Sequence, residues 1–487
     1  EPDLEFRYGQ RLKDPRDGLA LFGPYDTDLS SHPTSLTHIL IGCPEGIAKF
    51  KLWSSFINFP ATNAPKNKTR LWPPFPGFEA AYAAKWSPEP IITQSIDRDK
   101  LLEASRLKDP YQRAEKVVDF YLDDIAKAEN RDERIGVIIC IVPDEVWANC
   151  RPQSQVAHAI GNRISNQELS QRKSGQIGMF DGDRQTYLLS PDFRRQLKAR
   201  AMKFGIPLQI IRESTLKVDD DYSFGERRLT PLSDRMWNIC TTLYYKCGGK
   251  PWRLVSAREG VCYIGLAFRR TNNNRTACCA AQMFLDSGDG VVFLGQFGPW
   301  YSPKDKQFHL TRDAATGLLQ GILKTYSDLE GKPLSEIFIH SRSEISDDEF
   351  SGYQSACPQD VKLIGVRVRS DNKAPRLFRQ GEMPILRGSL WPINNNSGLL
   401  WGAGFKARMG TYDGWEVPRP MRIDIQHGDA IIERVAQDIF GLTKLNYNAC
   451  RLGDSDPVTV GFSDAVGEIL ISNPTITDRK PQFRYYI

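Results

Sequence analysis

The chain has 487 residues, of which 40% are hydrophobic, 10% aromatic and 25% charged, proportions that exclude a disordered chain and leave material for more than one core. Sixty-four Lys and Arg against 59 Asp and Glu give a formal net charge of +5, too small to mark a polyanion-binding protein unless the cations gather on one groove. The apolar runs, such as 135–142 and 361–368, are strand-sized and far short of the ~20 residues that cross a bilayer, so neither a transmembrane segment nor a membrane partner is expected.

In chain order, the part up to about Pro251 alternates apolar runs with polar helical stretches. Strands are predicted at His38–Cys43, Arg134–Val142 and Pro207–Arg212, and helices at Asp109–Asn130, Asp192–Phe204 and Leu232–Tyr245. That alternation predicts an α/β layer fold on a mainly parallel sheet. The second part opens with three strand-like runs, Val261–Phe268, Cys278–Leu285 and Val291–Phe297, the last two joined by the Asp-Gly-containing turn Asp286–Gly290, a strong hairpin signal. A helix at Arg312–Leu329, strands at Glu336–Ser341 and Val361–Arg369 and a helix at Asp429–Leu442 follow. Three antiparallel strands, a helix and a parallel strand are the order of an RNase H-like domain, although many α+β folds share it. The Asn runs at 272–274 and 394–396 read as loops, and no internal repeat is present.

Ten cysteines (Cys43, Cys140, Cys150, Cys240, Cys247, Cys262, Cys278, Cys279, Cys357 and Cys450) are scattered without a C-x-x-C pair, the usage of a reducing cytosol. The chain starts at Glu1 rather than Met, which reads as a trimmed N-terminus, and this acidic start has no signal-peptide character; a cytoplasmic location is expected. His32, His38, His158, His309, His340 and His427 form no H-x-x-x-H pair and no zinc-spaced cluster with cysteine. Gly249-Lys250 approaches a Walker A loop, but Tyr244 stands at its first glycine and Pro251 at the Mg²⁺-binding Ser or Thr, so ATP chemistry is not supported.

The informative residues lie in Phe193–Lys198, Gly205–Gln209 and Lys246–Gly249. Arg194 and Lys198 are four apart and share one helix face, where they can grip one anion. Gln209 follows on a strand with an amide suited to a phosphate oxygen or a metal-bound water, and Lys246 ends a helix before a Gly-Gly break. Converging, the four side chains make a phosphate pocket. Taken singly, Arg194 and Lys198 read as charges solvating a helix and Lys246 as a charge favoured at a helix C-terminus.

Together these residues resemble the MID domain of Argonaute proteins, in which an R/Y/H-x-x-x-K pair, a following Gln and a Lys before Gly-Gly bind the 5′-phosphate of a guide strand. Arg194 stands where many members carry an aromatic residue or His, so it lacks a stacking ring. The segments Asp14–Tyr25, Pro74–Phe78, Ile141–Glu145, Arg212–Leu216, Tyr245–Trp252, Gln282–Asp286 and Phe483–Ile487 are similar to short prokaryotic Argonautes, which consist of MID and PIWI domains alone. The resemblance implies a Rossmann-like MID domain with its N-terminal segment over residues 1–252 and an RNase H-like PIWI domain over 253–487. It also implies that the Ile487 terminal carboxylate, with Gln209, contacts a structural Mg²⁺ at the guide phosphate, and that the first guide base is read near Asn149–Pro152.

An RNase H-type nuclease needs carboxylates to hold two metal ions. Cleaving Argonautes carry an Asp where this chain has Ala267, and a second Asp where it has Ser343. Glu344, Asp347, Asp454 and Asp456 read as solvated loop acids. The expectation is therefore a protein with no catalytic residues and no catalytic cofactor. It binds a guide RNA and a complementary target DNA without cutting, along a channel lined by Arg367, Arg369, Lys373, Arg376 and Arg379. The resemblance further implies an APAZ-containing effector partner in heterodimer, TIR or sirtuin-like and less often a nuclease, which consumes NAD in abortive-infection immunity. The alternatives are an active guide-dependent endonuclease and a scaffold that has lost guide binding.

Overall fold

The computed structural model describes the chain except residues 63–67, 130–134, 153, 155, 157–189, 220–228, 271–276, 285–289, 305, 330–332, 382, 413, 415 and 473–478. The predicted turn at Asp286–Gly290 and the Asn run 272–274 thus fall largely or wholly outside the described residues, as do Arg134 and Asn130 at the ends of predicted elements. Among the described residues no helix is long and apolar enough to cross a membrane.

Four parallel strands form the first sheet: β1 (His38–Gly42), β2 (Ile92–Ser95), β3 (Val137–Val142) and β4 (Leu208–Arg212), in the order β2-β1-β3-β4. The central strand β3 reads Val-Ile-Ile-Cys-Ile-Val and is buried at every position, because a parallel sheet is covered on both faces. Alternation then divides its side chains. Ile138, Cys140 and Val142 pack with Val117, Val118 and Tyr121 of helix α2 (Pro110–Glu129) and with Leu197 of helix α3 (Phe193–Ala201), whereas Val137, Ile139 and Ile141 join the opposite core with Phe50 and Trp53 of helix α1 (Pro44–Phe56). Helix α4 (Leu232–Lys246) belongs to that second core and runs one residue further than predicted.

The second sheet has eight strands: β5 (Val261–Arg270), β6 (Ala277–Phe284), β7 (Gly290–Gly298), β8 (Glu336–Ser341), β9 (Lys362–Ser370), β10 (Leu390–Asn394), β11 (Ser397–Leu400) and β12 (Met421–His427), in the order β7-β6-β5-β8-β9-β12-β11-β10. The antiparallel trio β7-β6-β5, followed by β8 and β9 parallel to β5, is the arrangement predicted for an RNase H-like domain. Helix α5 (Arg312–Leu329) covers the face carrying Cys262, Ile264 and Leu266, flanked by helix α6 (Asp347–Ala356). The last three strands, from 390–394, 397–400 and 421–427, were not predicted; the Asn run 394–396, read as a loop, supplies the turn between the first two. Helix α7 (Ile432–Leu442) starts three residues later than predicted, and helix α8 (Val458–Leu470) was not anticipated at all.

Helix α8 crosses β5 at Gly265, where an added Cβ would stand 2.0 Å from the Thr459 carbonyl oxygen. Backbone cannot retreat as a flexible side chain does, so Gly265→Ala is expected to destabilise the protein by about 1–3 kcal/mol through overpacking. Urea unfolding measures this as a lower midpoint at unchanged slope.

The C-terminal tail joins the two sheets. Val292 of β7 donates to Pro481 O at 2.7 Å, the Phe483 ring packs at 5.3 Å from Phe284 and 5.5 Å from Phe462, and the Tyr485 hydroxyl donates to Gly205 O at 2.8 Å, beside the entry to β4.

Candidate functional site

Helix α4 ends on Lys246 for a reason written in the next three residues. Cys247 N donates to Leu243 O and Gly249 N to Tyr244 O, both at 3.0 Å, while Gly248 takes φ +99°, which L side chains rarely adopt. A Cβ on Gly249 would lie 2.4 Å from the Tyr244 ring. That ring is itself held: its hydroxyl donates to the buried Asp26 at 2.5 Å and meets His32 Nδ1 at 2.9 Å, and Asp26 also accepts Lys250 N at 2.7 Å. Burial raises the Asp26 carboxyl above its ordinary value, against these hydrogen bonds. The network spans 224 residues of chain and carried no sequence signal.

From this end Lys246 turns inward, wholly buried, and donates to Leu208 O at 2.9 Å and to the Ile487 carbonyl oxygen. Lys198, 4% exposed, donates to that same Ile487 oxygen and to Tyr486 O at 3.1 Å. Lys198 is placed by helix α3, whose first turn is capped by Asp192 accepting Arg194 N at 2.9 Å and Arg195 N at 3.3 Å. The structure therefore brings two lysines, 48 positions apart in the numbering of the chain, onto one point at the tail, with Arg194 one helical turn before Lys198.

The electrostatics of this cluster are those of a site with surplus positive charge. Burial pushes Lys246 down to about 7, helped by the Arg194 guanidinium. Burial, then Arg194 and Lys246, hold Lys198 well below the usual lysine value. Burial also lowers Arg194, partly offset by Asp192. Two buried ammonium groups and a half-buried guanidinium gain from an anion between them, and phosphate, with several acceptor oxygens, suits convergent donors.

Gln209 stands on β4 next to Leu208, and its amide nitrogen donates to Ile210 O at 3.2 Å; no contact links it to the lysines among the described residues. A divalent cation here meets the Ile487 oxygen, which already accepts from two ammonium groups, and a Gln209 whose amide nitrogen is bonded to its own strand. Such a donor set, inside a ring of cations, does not fit a hard metal ion that demands several free oxygens. In the Asn149–Pro152 segment, Asn149 donates to Ser105 Oγ at 3.4 Å and the Arg151 guanidinium sits 4.9 Å from the Trp147 ring.

Ala267 lies on β5, 3% exposed and paired with Ala280. Ser343 follows β8, its hydroxyl accepting Phe308 N at 3.4 Å. Of the acids nearby, Glu344 is 3.7 Å from Arg367, Asp347 is 3.8 Å from His427, and Asp454 accepts from Asn446 at 2.5 Å. Asp456 borders a cavity of about 120 Å³ with Arg342 and Ser370. Among the described residues no three His, Cys, Asp or Glu side chains are grouped to hold a metal ion.

Arg367 and Arg369 share a face of β9, and Lys373 and Arg376 are exposed in the loop after it. Arg379 departs from the predicted stripe: its Nε donates to Pro384 O at 2.9 Å and its guanidinium covers the Phe405 ring at 4.5 Å, so it pins its own loop.

No family model matches the sequence. No curated protein matches it either. Solved structures do. Clostridium butyricum Argonaute bound to a guide DNA and a 19-mer target DNA superposes with a TM-score of 0.62 at 16% identity, over 97% of this chain and 52% of that one. Aa-Ago with externally bound siRNA gives 0.56 at 15% identity over 100% and 55%, and A. aeolicus Argonaute 0.54 at 14% over 96% and 52%. The chain thus has an Argonaute-like fold, the α/β arrangement of a MID domain and an RNase H-like PIWI domain, and spans about half the length of each of these structures.

Proposed function

We propose that this chain is a guide-dependent nucleic-acid sensor, binding the 5′-phosphate of a guide strand, RNA by the resemblance, at Arg194, Lys198 and Lys246, and pairing that guide with a complementary DNA target. The observation that carries this reading is the convergence of two buried lysines, Lys198 and Lys246, on the Ile487 oxygen, with Arg194 one helical turn away. A carboxylate at Ile487 would neutralise one of the three cations and leave two for phosphate. The fold adds support, since one structure it resembles was solved with a guide and a target strand bound.

Target binding without cleavage belongs to the same proposal. Ala267 inside β5 and Ser343 just beyond β8 bring no charge to the positions where cleaving relatives, by the resemblance, carry Asp, so neither supplies a carboxylate to bridge two metal ions. A guide-loaded preparation is expected to leave a fully matched target intact in Mg²⁺ or Mn²⁺ on a denaturing gel. Product that disappears in Glu344→Gln or Asp454→Asn would replace this reading with an endonuclease. The output is then assigned to a separate chain, an APAZ-containing effector of TIR or sirtuin-like type acting in prokaryotic defence. The deciding experiment purifies the chain at low salt with the products of its neighbouring genes, then sequences the bound nucleic acid and identifies the copurifying polypeptides. Short 5′-phosphorylated strands with an effector-bearing partner sustain the proposal; a nucleic-acid-free chain without partner overturns it.

A further inference from the structure

The far end of the eight-stranded sheet carries a row of side chains that the phosphate pocket does not use. Strand register places Arg369 of β9 opposite Arg422 of β12, Arg422 opposite Leu399 of β11, and Leu399 opposite Trp391 of β10. Directly paired residues project from the same face, so at ~4.8 Å per strand the row runs about 14 Å from Arg369 to Trp391.

Two features of this row call for a ligand. Like charges directly opposite one another destabilise an antiparallel pair, yet Arg369 faces Arg422. Arg422 leans on Asp424 at 2.9 Å, whereas Arg369, which lines the small cavity shared by Arg342 and Asp456, has no hydrogen bond or ion pair among the described residues, and its Nε is buried without a partner. The row also ends on an indole that is 46% exposed at the edge of the sheet. Between them Leu399 is covered by Ile385, Ala374 and Leu377, and the loop that supplies this cover exposes Lys373, Arg376 and a Phe378 ring that is 61% exposed. Cations interleaved with open aromatic rings hold a polyanion whose flat groups are free to stack. A duplex buries its base faces within its own stack and offers no such groups, whereas a single strand does.

We propose that this face is a single-strand platform: Arg369 and Arg422 hold backbone phosphates, and Trp391, with Phe378, stacks about two or three unpaired bases, the number a sheet surface of this kind takes. The proposal deepens the nucleic-acid reading above but needs neither a guide nor the 5′-phosphate pocket. The platform holds unpaired strand beside the guided duplex.

The test uses the full chain and two probes that lack a 5′-phosphate: a 3′-labelled oligothymidylate of about 15 nucleotides and a blunt hairpin duplex of equal length, compared by fluorescence anisotropy. Wild type is expected to prefer the single strand. Trp391→Ala and Arg422→Gln are each expected to weaken oligothymidylate binding about tenfold, and Trp391→Phe to retain most of it. Trp391 is half exposed, so its replacement leaves the core intact. Equal binding of both probes by wild type, or wild-type affinity in Trp391→Ala, overturns the proposal and leaves the face to a polypeptide partner. A loss shared equally by Trp391→Phe also overturns it, because stacking is then not the interaction. If a 5′-phosphate confers no advantage while the oligothymidylate results stand, the pocket reading fails and the platform survives.

Discussion

Replacing Lys198 and Lys246 together by Met is expected to erase the preference for a 5′-phosphorylated strand over the same strand ending in a hydroxyl, a loss of about a hundredfold or more. Each charged hydrogen bond to phosphate contributes about 1.5–3 kcal/mol, and two are removed. Relief of two buried ammonium groups, whose pKa values burial pulls down, opposes the loss of their hydrogen bonds to Leu208, Tyr486 and Ile487 oxygens, so the net change in stability should be small beside the loss of binding. Lost binding with retained stability marks a ligand site, and competition binding with paired strands alongside thermal melts reads both quantities. Unchanged phosphate preference in the double variant would remove the pocket from the account.

The same lysines set a pH dependence whose sign is fixed by Lys246. In the empty protein its value is about 7 against an ordinary 10.5, so between those values the unfolded chain binds more protons than the folded one. Stability of the strand-free protein therefore rises with pH across that window, is flat below about 7, and loses this slope in Lys246→Met. Phosphate reverses the local balance by favouring the charged ammonium. Binding takes up a proton above about pH 7, so the advantage of a 5′-phosphorylated strand falls as pH rises from 7 to 9. The terminal phosphate, with its second pKa near 6, is about nine-tenths dianionic at pH 7, which leaves the lysines as the main titrating groups between 7 and 9.

Phe483→Ala is the second large effect, and it couples the core to the pocket. The ring is 2% exposed, wedged between Phe284 and Phe462, with its Cβ close to Gly290. Removing it costs about 3–5 kcal/mol, the range for a large aromatic truncated in a packed core. Because the residues beyond it bring the Ile487 oxygen to Lys198 and Lys246, the tail should also loosen and 5′-phosphate affinity should fall well below that of a variant equally destabilised elsewhere, such as Gly265→Ala. Chemical unfolding together with strand binding at saturating folded fraction separates the two contributions. Equal affinities in Phe483→Ala and Gly265→Ala would show that the tail does not shape the pocket.

How much of this was readable in advance varied with how locally each feature is caused. The parallel strands were legible because burial on both faces demands an unbroken apolar run, as in Val137–Val142. The trio that opens the second sheet was legible because its alternation is local too. By contrast Leu390–Asn394, with Pro392 and an asparagine turn, carries weak strand propensity and pairs because it sits on the sheet edge, where a missing donor costs little. Helix α8 contains Gly461 and Gly467 and β-branched residues; what holds it is close packing over Gly265, which no window of α8 contains.

The sequence by itself determined the chemistry available to this protein: Arg194, Lys198 and Lys246 as cationic hydrogen-bond donors, and the absence of carboxylates at Ala267 and Ser343. The spacing of Arg194 and Lys198 on one helix and the Gly-Gly break after Lys246 are likewise local properties of the chain. Only the tertiary structure decided that both lysines meet at one oxygen of Ile487, 289 and 241 residues away, and that Arg369 faces Arg422. The physical reason is that helix periodicity and turn geometry act over a few residues, whereas the burial that lowers a lysine's pKa and the register that sets two guanidinium groups side by side arise only when distant segments pack.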